Sequence, residues 1–214
     1  MYSAFTESAL EVLRKPQLTM QWYIIPLFLV VFYIVGKELK EKNYSVVLGG
    51  VALWLVDVFN EIWNSYVCFF SGYAPVWGTP ASVGGSAWLL LIGYNIEISF
   101  MFLLMGIAAC NMLLPDKKAK ILGINNRIFF AVILTTAAVI VECFLNFCGV
   151  LTWEWPFWQR KVPWLLWLIG YLPFFCAAFY VHDRPTMKGK FKALGVLAGV
   201  DVVLLILGGI FNLV

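Results

Sequence analysis

Six stretches of the chain are apolar for long enough to cross a bilayer: roughly 21–37, 45–70, 86–114, 127–152, 163–182 and 193–214. Each approaches or exceeds the ~20 mostly apolar residues that a spanning helix needs. The connections are short, so consecutive helices are expected to be antiparallel neighbours. The third segment is long enough to tilt or to project into water. The pattern predicts an all-α fold: a polytopic membrane helix bundle with six transmembrane helices, in a single domain covering 1–214. Ahead of the first span, "MYSAFTESALEVLRKPQLT" lacks the apolar core of a signal peptide, and its basic pair comes late. It reads as a short N-terminal amphipathic helix that ends before Pro16 and lies at the membrane interface. No internal repeat and no linker stand out.

Composition agrees with this reading. Of the 214 residues, 62% are hydrophobic and 13% charged, with a mean hydropathy of +0.86. A soluble domain of this size could not hide so much apolar surface. The five cysteines (Cys68, Cys110, Cys143, Cys148, Cys176) sit in apolar segments and form no CxxC, as expected of small buried hydrophobes. His182 is the one histidine and cannot build a zinc or haem site by itself. No metal and no cofactor is expected. The net charge of +3 comes from the loops and implies no nucleic-acid partner. The partners expected are the bilayer and a lipophilic small molecule or lipid, with the oligomeric state left open.

The basic residues give an orientation. The first, third and fifth connections carry Lys37, Lys40 and Lys42, then Lys117, Lys118, Lys120 and Arg127, then Arg184, Lys188, Lys190 and Lys192. The other side carries Arg14, Lys15, Arg160 and Lys161. Positive-inside bias then places both termini on the non-cytoplasmic side. The outer connections differ in kind. "SGYAPVWGTPASVGG" has no charge, and "TWEWPFWQRKVPW" is dense in tryptophan. They read either as an aromatic belt at the headgroups or as a cap over a cavity, with the belt favoured.

Acids inside the apolar segments need a reason, because each costs roughly 2.5–3.5 kcal/mol on insertion scales. In the second segment Trp54, Asp57, Glu61, Asn64 and Cys68 form one stripe at i, i+3, i+7, i+10 and i+14, with Asn60 beside it. Tyr94, Glu97 and Met101 share a face of the third segment, and Thr135, Glu142 and Asn146 one of the fourth. Glu61, Glu97 and Glu142 lie about 10 to 12 residues from the outer ends, roughly 15–18 Å deep at 1.5 Å per residue. Three glutamates at one level are expected to converge, with no Lys or Arg at that depth to pair them. Three options remain: protonated carboxyls acting as donors, a bound cation, or interhelical bonds to amides such as Asn60, Asn64, Asn95 and Asn146. Asp201 stands alone in the last segment and reads as a packing or interfacial residue. In the fifth segment Trp164, Trp167, Tyr171 and Phe174 share a face, and Pro173 is expected to kink the helix. Aromatic faces beside carboxylates suit a cation.

The D-x-x-x-E-x-W pattern of Asp57, Glu61 and Trp63, the acids Glu97 and Glu142 ("VECFLNF") and the closing helix "PWLLWLIGYLPFFCAAFYVHD" resemble the emopamil-binding protein family of membrane sterol isomerases. The resemblance covers about residues 50–183, and Asp57 stands where that family has histidine. The same stretch is similar to the integral-membrane terpene cyclases. Both resemblances imply acid–base chemistry through carbocations on an isoprenoid or sterol-like substrate. They imply Asp57, Glu61, Glu97 and Glu142 as catalytic acids. The substrate wall would be Trp54, Asn60, Trp63, Asn64, Tyr94, Asn146, Trp167 and Tyr171. The expected function is therefore an isomerase or cyclase acting by protonation. The alternatives are a transporter or binding protein for a cationic amphiphile or proton-coupled solute, and a structural membrane subunit.

Overall fold

In the computed structural model, residues 1–79 and 88–214 are described. After α1 (Ala4–Val12) come α2 (Ile24–Lys40) and α3 (Tyr44–Ser71), then a small hairpin of β1 (Leu89–Leu91) and β2 (Tyr94–Asn95) leading into α4 (Ile96–Asn111). A second hairpin of β3 (Lys120–Ile121) and β4 (Ile124–Asn125) leads into α5 (Asn126–Phe147), followed by α6 (Pro163–His182) and α7 (Met187–Ile210). The molecule is an all-α membrane helix bundle. Among the described residues four helices, α3, α5, α6 and α7, are long and apolar enough to cross a membrane. The count of six is corrected: α2 has 17 residues and α4 has 16, both short of a full span.

The third segment shows why. Its apolar run begins as a hairpin, and the helix starts only at Ile96. Asn95 stops the helix from extending upstream, since its Oδ1 accepts the Ile98 N–H at 2.9 Å as an N-cap. At the hairpin turn, a Cβ on Gly93 would lie 2.5 Å from Asn64 Nδ2 and 2.8 Å from the Trp77 carbonyl oxygen. Glycine alone lets the turn press against α3. The second hairpin turns through Leu122 (φ 51°) and Gly123 (φ 82°), both left-handed as a two-residue turn requires. Its Asn125 caps α5 through the Arg127 N–H at 2.9 Å. The two units, "LIGYNIEISF" and "ILGINNRIFF", share Gly, Asn, Ile and Phe at matching positions. A repeat is therefore present that the sequence pattern did not announce, with Glu97 and Arg127 in equivalent places.

α3 is the hub and packs against α4, α6 and α7. Its crossing with α4 is close because the contact is glycine on glycine. A Cβ on Gly106 would lie 2.8 Å from Gly50 Cα, and one on Gly50 only 2.5 Å from Ile107 Cγ1. Without a hydrophobic drive between helices in lipid, such close backbone approach is what holds them. α3 ends at Gly72 (φ 61°), whose N–H bonds the Cys68 carbonyl at 3.0 Å.

α1 packs on the end of the bundle. Its apolar side, Ala9 and Val12, packs on Cys68, Leu89 and Ile92 at the end of the bundle. The Ser3 N–H bonds the Tyr73 carbonyl at 3.0 Å, and its hydroxyl donates to Glu154 at 2.8 Å. In α6 the expected Pro173 kink takes the form of a widened turn over Leu166–Tyr171, where the Leu172 N–H reaches back to the Trp167 carbonyl. Proline has no N–H for the carbonyl one turn upstream and crowds it, and an i→i+5 turn relieves both.

At the basic end Arg127 grips Asp183 with both edges, Nε to Oδ2 at 2.9 Å and Nη2 to Oδ1 at 3.0 Å. Partial burial disfavours the Asp183 charge, but hydrogen bonds from Arg127 and His182 outweigh it and hold the carboxyl below its ordinary pKa. Lys190, 4% exposed, caps the last carbonyls of α6 through Val181 (3.1 Å) and His182.

Candidate functional site

Asp57 and Glu61 stand one turn apart on α3, 2% and 3% exposed. Trp77 Nε1 donates to Glu61 Oε1 at 2.8 Å, and Asn64 Nδ2 approaches Oε2 at 3.4 Å. Asp57 Oδ2 is buried without a hydrogen-bond partner. Glu142 comes from α5 and lies beside the Tyr171 hydroxyl of α6. The Trp153 indole lies beside it, without closing a bond of good geometry. Glu97 comes from the first turn of α4 and accepts from the Tyr23 hydroxyl at the start of α2. All four acids, with Asn60 and Tyr171, line one cavity of about 550 Å³.

The convergence has a different origin from the equal depths read in the sequence. Glu97 is not far down a long helix. It sits at the beginning of α4, and the hairpin sets that beginning inside the bundle. Trp77, Phe102, Trp158 and Phe174 bring aromatic rings to the wall, among aliphatic side chains such as Leu27, Ile98 and Leu145. Among the described residues no Lys, Arg or His lines the cavity. An organic molecule there would meet carboxyl groups and aromatic rings in one wall, which is a setting for positive charge.

Several expected wall residues lie elsewhere. Trp63 points outward, 41% exposed, and packs on the outer side of Trp77 with ring centroids 5.8 Å apart. Trp54 sits behind the wall, its Nε1 near the Tyr94 hydroxyl (2.9 Å) and the Ser99 hydroxyl (2.8 Å), so Tyr94 does not line the cavity either. Asn64 is fully buried and serves the outer loop: Oδ1 accepts the Val76 and Trp77 N–H at 2.7 and 3.2 Å, and Nδ2 donates to the Trp77 carbonyl at 2.7 Å. Asn146 closes the turn after α5 through the Leu151 carbonyl at 2.9 Å. Trp167 donates to Thr136 at 3.0 Å, away from the cavity. Asp201 is buried on α7 and lines no cavity described here.

The residues missed are Trp77 and Trp158, both from the outer connections. Those connections close over the cavity, while residues 80–85 of the first lie outside the described residues. Gly78 and Thr152 exchange backbone hydrogen bonds at 3.0 and 2.7 Å, and Trp155 Nε1 donates to the Ala74 carbonyl at 3.0 Å. The Trp77 and Trp158 rings pack 5.3 Å apart, with Trp158 only 3% exposed and fitted against Gly170 in the widened turn. A belt residue would stay exposed, as Trp164 is at 58%. The density of tryptophan in these loops was the available signal. On one side Met101 and Val150 line the cavity and are 45% and 51% exposed, so the wall runs out onto the apolar surface between α4 and the end of α5.

Comparison with known proteins corrects the resemblance. Residues 3–210 match a family described as "Uncharacterized membrane protein family", not the emopamil-binding proteins or the terpene cyclases. The outward-facing Trp63 shows why the D-x-x-x-E-x-W pattern misled: its third residue does not share the site with the first two. A protein of Archaeoglobus fulgidus described as "Uncharacterized protein" is 51% identical over 199 residues, 92% of each chain. A second, from the same organism and described in the same words, is 38% identical over 52 residues, 24% of this chain and 93% of its own. No solved structure matches the chain. With a family match running over nearly its whole length, the chain belongs to this family of membrane proteins.

Proposed function

We propose that the cavity takes a lipophilic molecule from the bilayer and moves a proton to and from it, in the manner of an isomerase or cyclase acting on an isoprenoid or sterol-like substrate. One observation carries the reading: Asp57, Glu61, Glu97 and Glu142 line a single apolar cavity with four aromatic rings in its wall, and among the described residues no basic side chain lines it. A volume of about 550 Å³ falls within the range of small-molecule sites. The apolar aperture at Met101 and Val150 suits entry from the side. Glu61, held by Trp77, is the group assigned to proton transfer, and Asp57 and Glu142 flank it. The ring faces of Trp77, Phe102, Trp158 and Phe174 stabilise positive charge as it develops.

The test begins with lipid mass spectrometry of the purified protein to identify the occupant. Turnover of that occupant in deuterated water should place deuterium in the product, and Glu61→Gln should remove most turnover while leaving the fold intact. Full turnover in Glu61→Gln refutes the assignment. A second reading, binding or transport of a cationic amphiphile, is favoured by the two hairpin-helix units at opposite ends of the bundle, since transporters are often built on repeats. In that case Glu61→Gln weakens an ammonium ligand and spares its neutral isostere. The basic connections are proposed to face the cytoplasm, with both termini opposite. A cysteine placed at Lys118 should then resist labelling from outside intact cells.

A further inference from the structure

At the basic end a second cavity, of about 480 Å³, opens on the apolar surface between the start of α5 and the end of α6. We propose that it holds the phosphodiester headgroup of an anionic membrane lipid, with the first part of a chain lying between the two helices.

The argument starts from which charges are already used. Arg127 and Asp183 both line the cavity, but each is committed to the other. The remaining donors of Arg127 go to the Leu114 carbonyl (2.6 Å) and to Asn126. Arg184 is different. Its Nε is buried without a hydrogen-bond partner, and its guanidinium carbon lies 4.0 Å over the Tyr180 ring. The ring holds the guanidinium in place, and no acceptor among the described residues takes its terminal Nη donors, which leaves them for an acceptor outside the protein. A planar fork of N–H donors matches a phosphate oxygen pair, and charge-assisted bonds of this kind are the strong ones. Two guanidiniums line the cavity against the single Asp183 carboxylate, so the site carries excess positive charge. A zwitterionic headgroup would bring a cation of its own against that excess.

The walls decide between a lipid and a free phosphate. Below the arginines the lining is apolar, and Ile128 of α5 is 59% exposed, as is the face of Tyr180 at 54%. A soluble phosphate would leave those walls unused, whereas an acyl or prenyl chain continues down them. Basic pockets between helices at a membrane's polar boundary are a setting for anionic headgroups. The hairpin-helix repeat gives the site a counterpart: where its first copy puts Glu97 at the acidic cavity, its second puts Arg127 at this one.

The experiment is native mass spectrometry of the purified protein in detergent, offered phosphatidylglycerol, phosphatidylcholine of the same chains, or glycerol phosphate. The expected result is retention of phosphatidylglycerol in preference to phosphatidylcholine, with no competition from glycerol phosphate. Arg184→Gln should weaken that retention by about tenfold or more, the scale of a lost charge-assisted hydrogen bond. Cys176→Trp, which keeps the charges and fills the exposed apolar wall, should weaken it independently. Lys188→Gln, outside the cavity, should not. Equal retention of the two lipids, or full retention by Arg184→Gln and Cys176→Trp, overturns the proposal. Displacement by glycerol phosphate overturns the lipid assignment and leaves a phosphate site.

Discussion

Replacing Asn64 by leucine tests how the cap is held over the cavity. The two side chains are nearly the same size, so packing changes little and the loss is of hydrogen bonds. Asn64 has no exposed surface, and its amide satisfies three backbone groups: the Val76 N–H at 2.7 Å, the Trp77 N–H at 3.2 Å and the Trp77 carbonyl at 2.7 Å. Each buried group left without a partner costs about 1–3 kcal/mol, so three of them would cost about 3–9 kcal/mol if the loop stayed in place. The loop has a cheaper course, because it lies at the end of the bundle and can lift until water meets those groups. The expected cost is therefore near the lower limit, about 3 kcal/mol, a drop in Tm of roughly 6–12 °C for a chain of this size. Lifting would also pull Trp77 Nε1 from Glu61. Hydrogen exchange is the direct assay: the Val76 and Trp77 amides should lose protection while amides in the middle of α3 keep theirs. Asn64→Asp, which retains the acceptor for both N–H groups, should leave those two amides largely protected. If Asn64→Leu leaves the Val76 and Trp77 amides as protected as before, the clamp is wrong.

Gly106→Leu should separate α3 from α4, because its Cβ alone would lie 2.8 Å from Gly50 Cα, and cost about 1–3 kcal/mol by thermal unfolding in detergent. Arg127→Met should cost about 1.5–3 kcal/mol through the lost two-edged bond to Asp183. The pH dependence has a definite sign: the folded Asp183 carboxyl lies below its ordinary value, so its contribution is complete above about pH 4 and is lost as pH falls through the folded value. Arg127→Met should flatten that acid limb of a stability profile, and an unchanged limb would count against the assignment. Met101→Trp should slow loading of a lipophilic fluorophore into the larger cavity with little change in Tm, since Met101 is 45% exposed at its edge. Equal loading rates would place the entrance elsewhere.

Apolar run length and scarcity of charge were enough to read a membrane helix bundle, because a bilayer forces backbone groups to pair within each segment whatever the neighbours do. The acids at 57, 61, 97 and 142 were legible for the same reason: a carboxyl in an apolar run is costly wherever it points. Direction was less so. Helical period put Trp63 near Glu61 by number, yet it faces away, and Asn64 shares the acids' stripe while serving a loop. The hairpins were hidden because residues 89–95 are as apolar as the helix that follows, and apolarity does not distinguish a buried strand from a helix. Asn95 caps the helix start locally, but what places that start is a tertiary fact, the Gly93 turn pressed on Asn64 and Trp77, and it sets Glu97 at the cavity. Trp77 and Trp158 belong to connections, and no periodicity tells which way a loop folds. Only their bonds to one another and to α3 turn two tryptophan-bearing loops into the roof of a carboxyl-lined chamber.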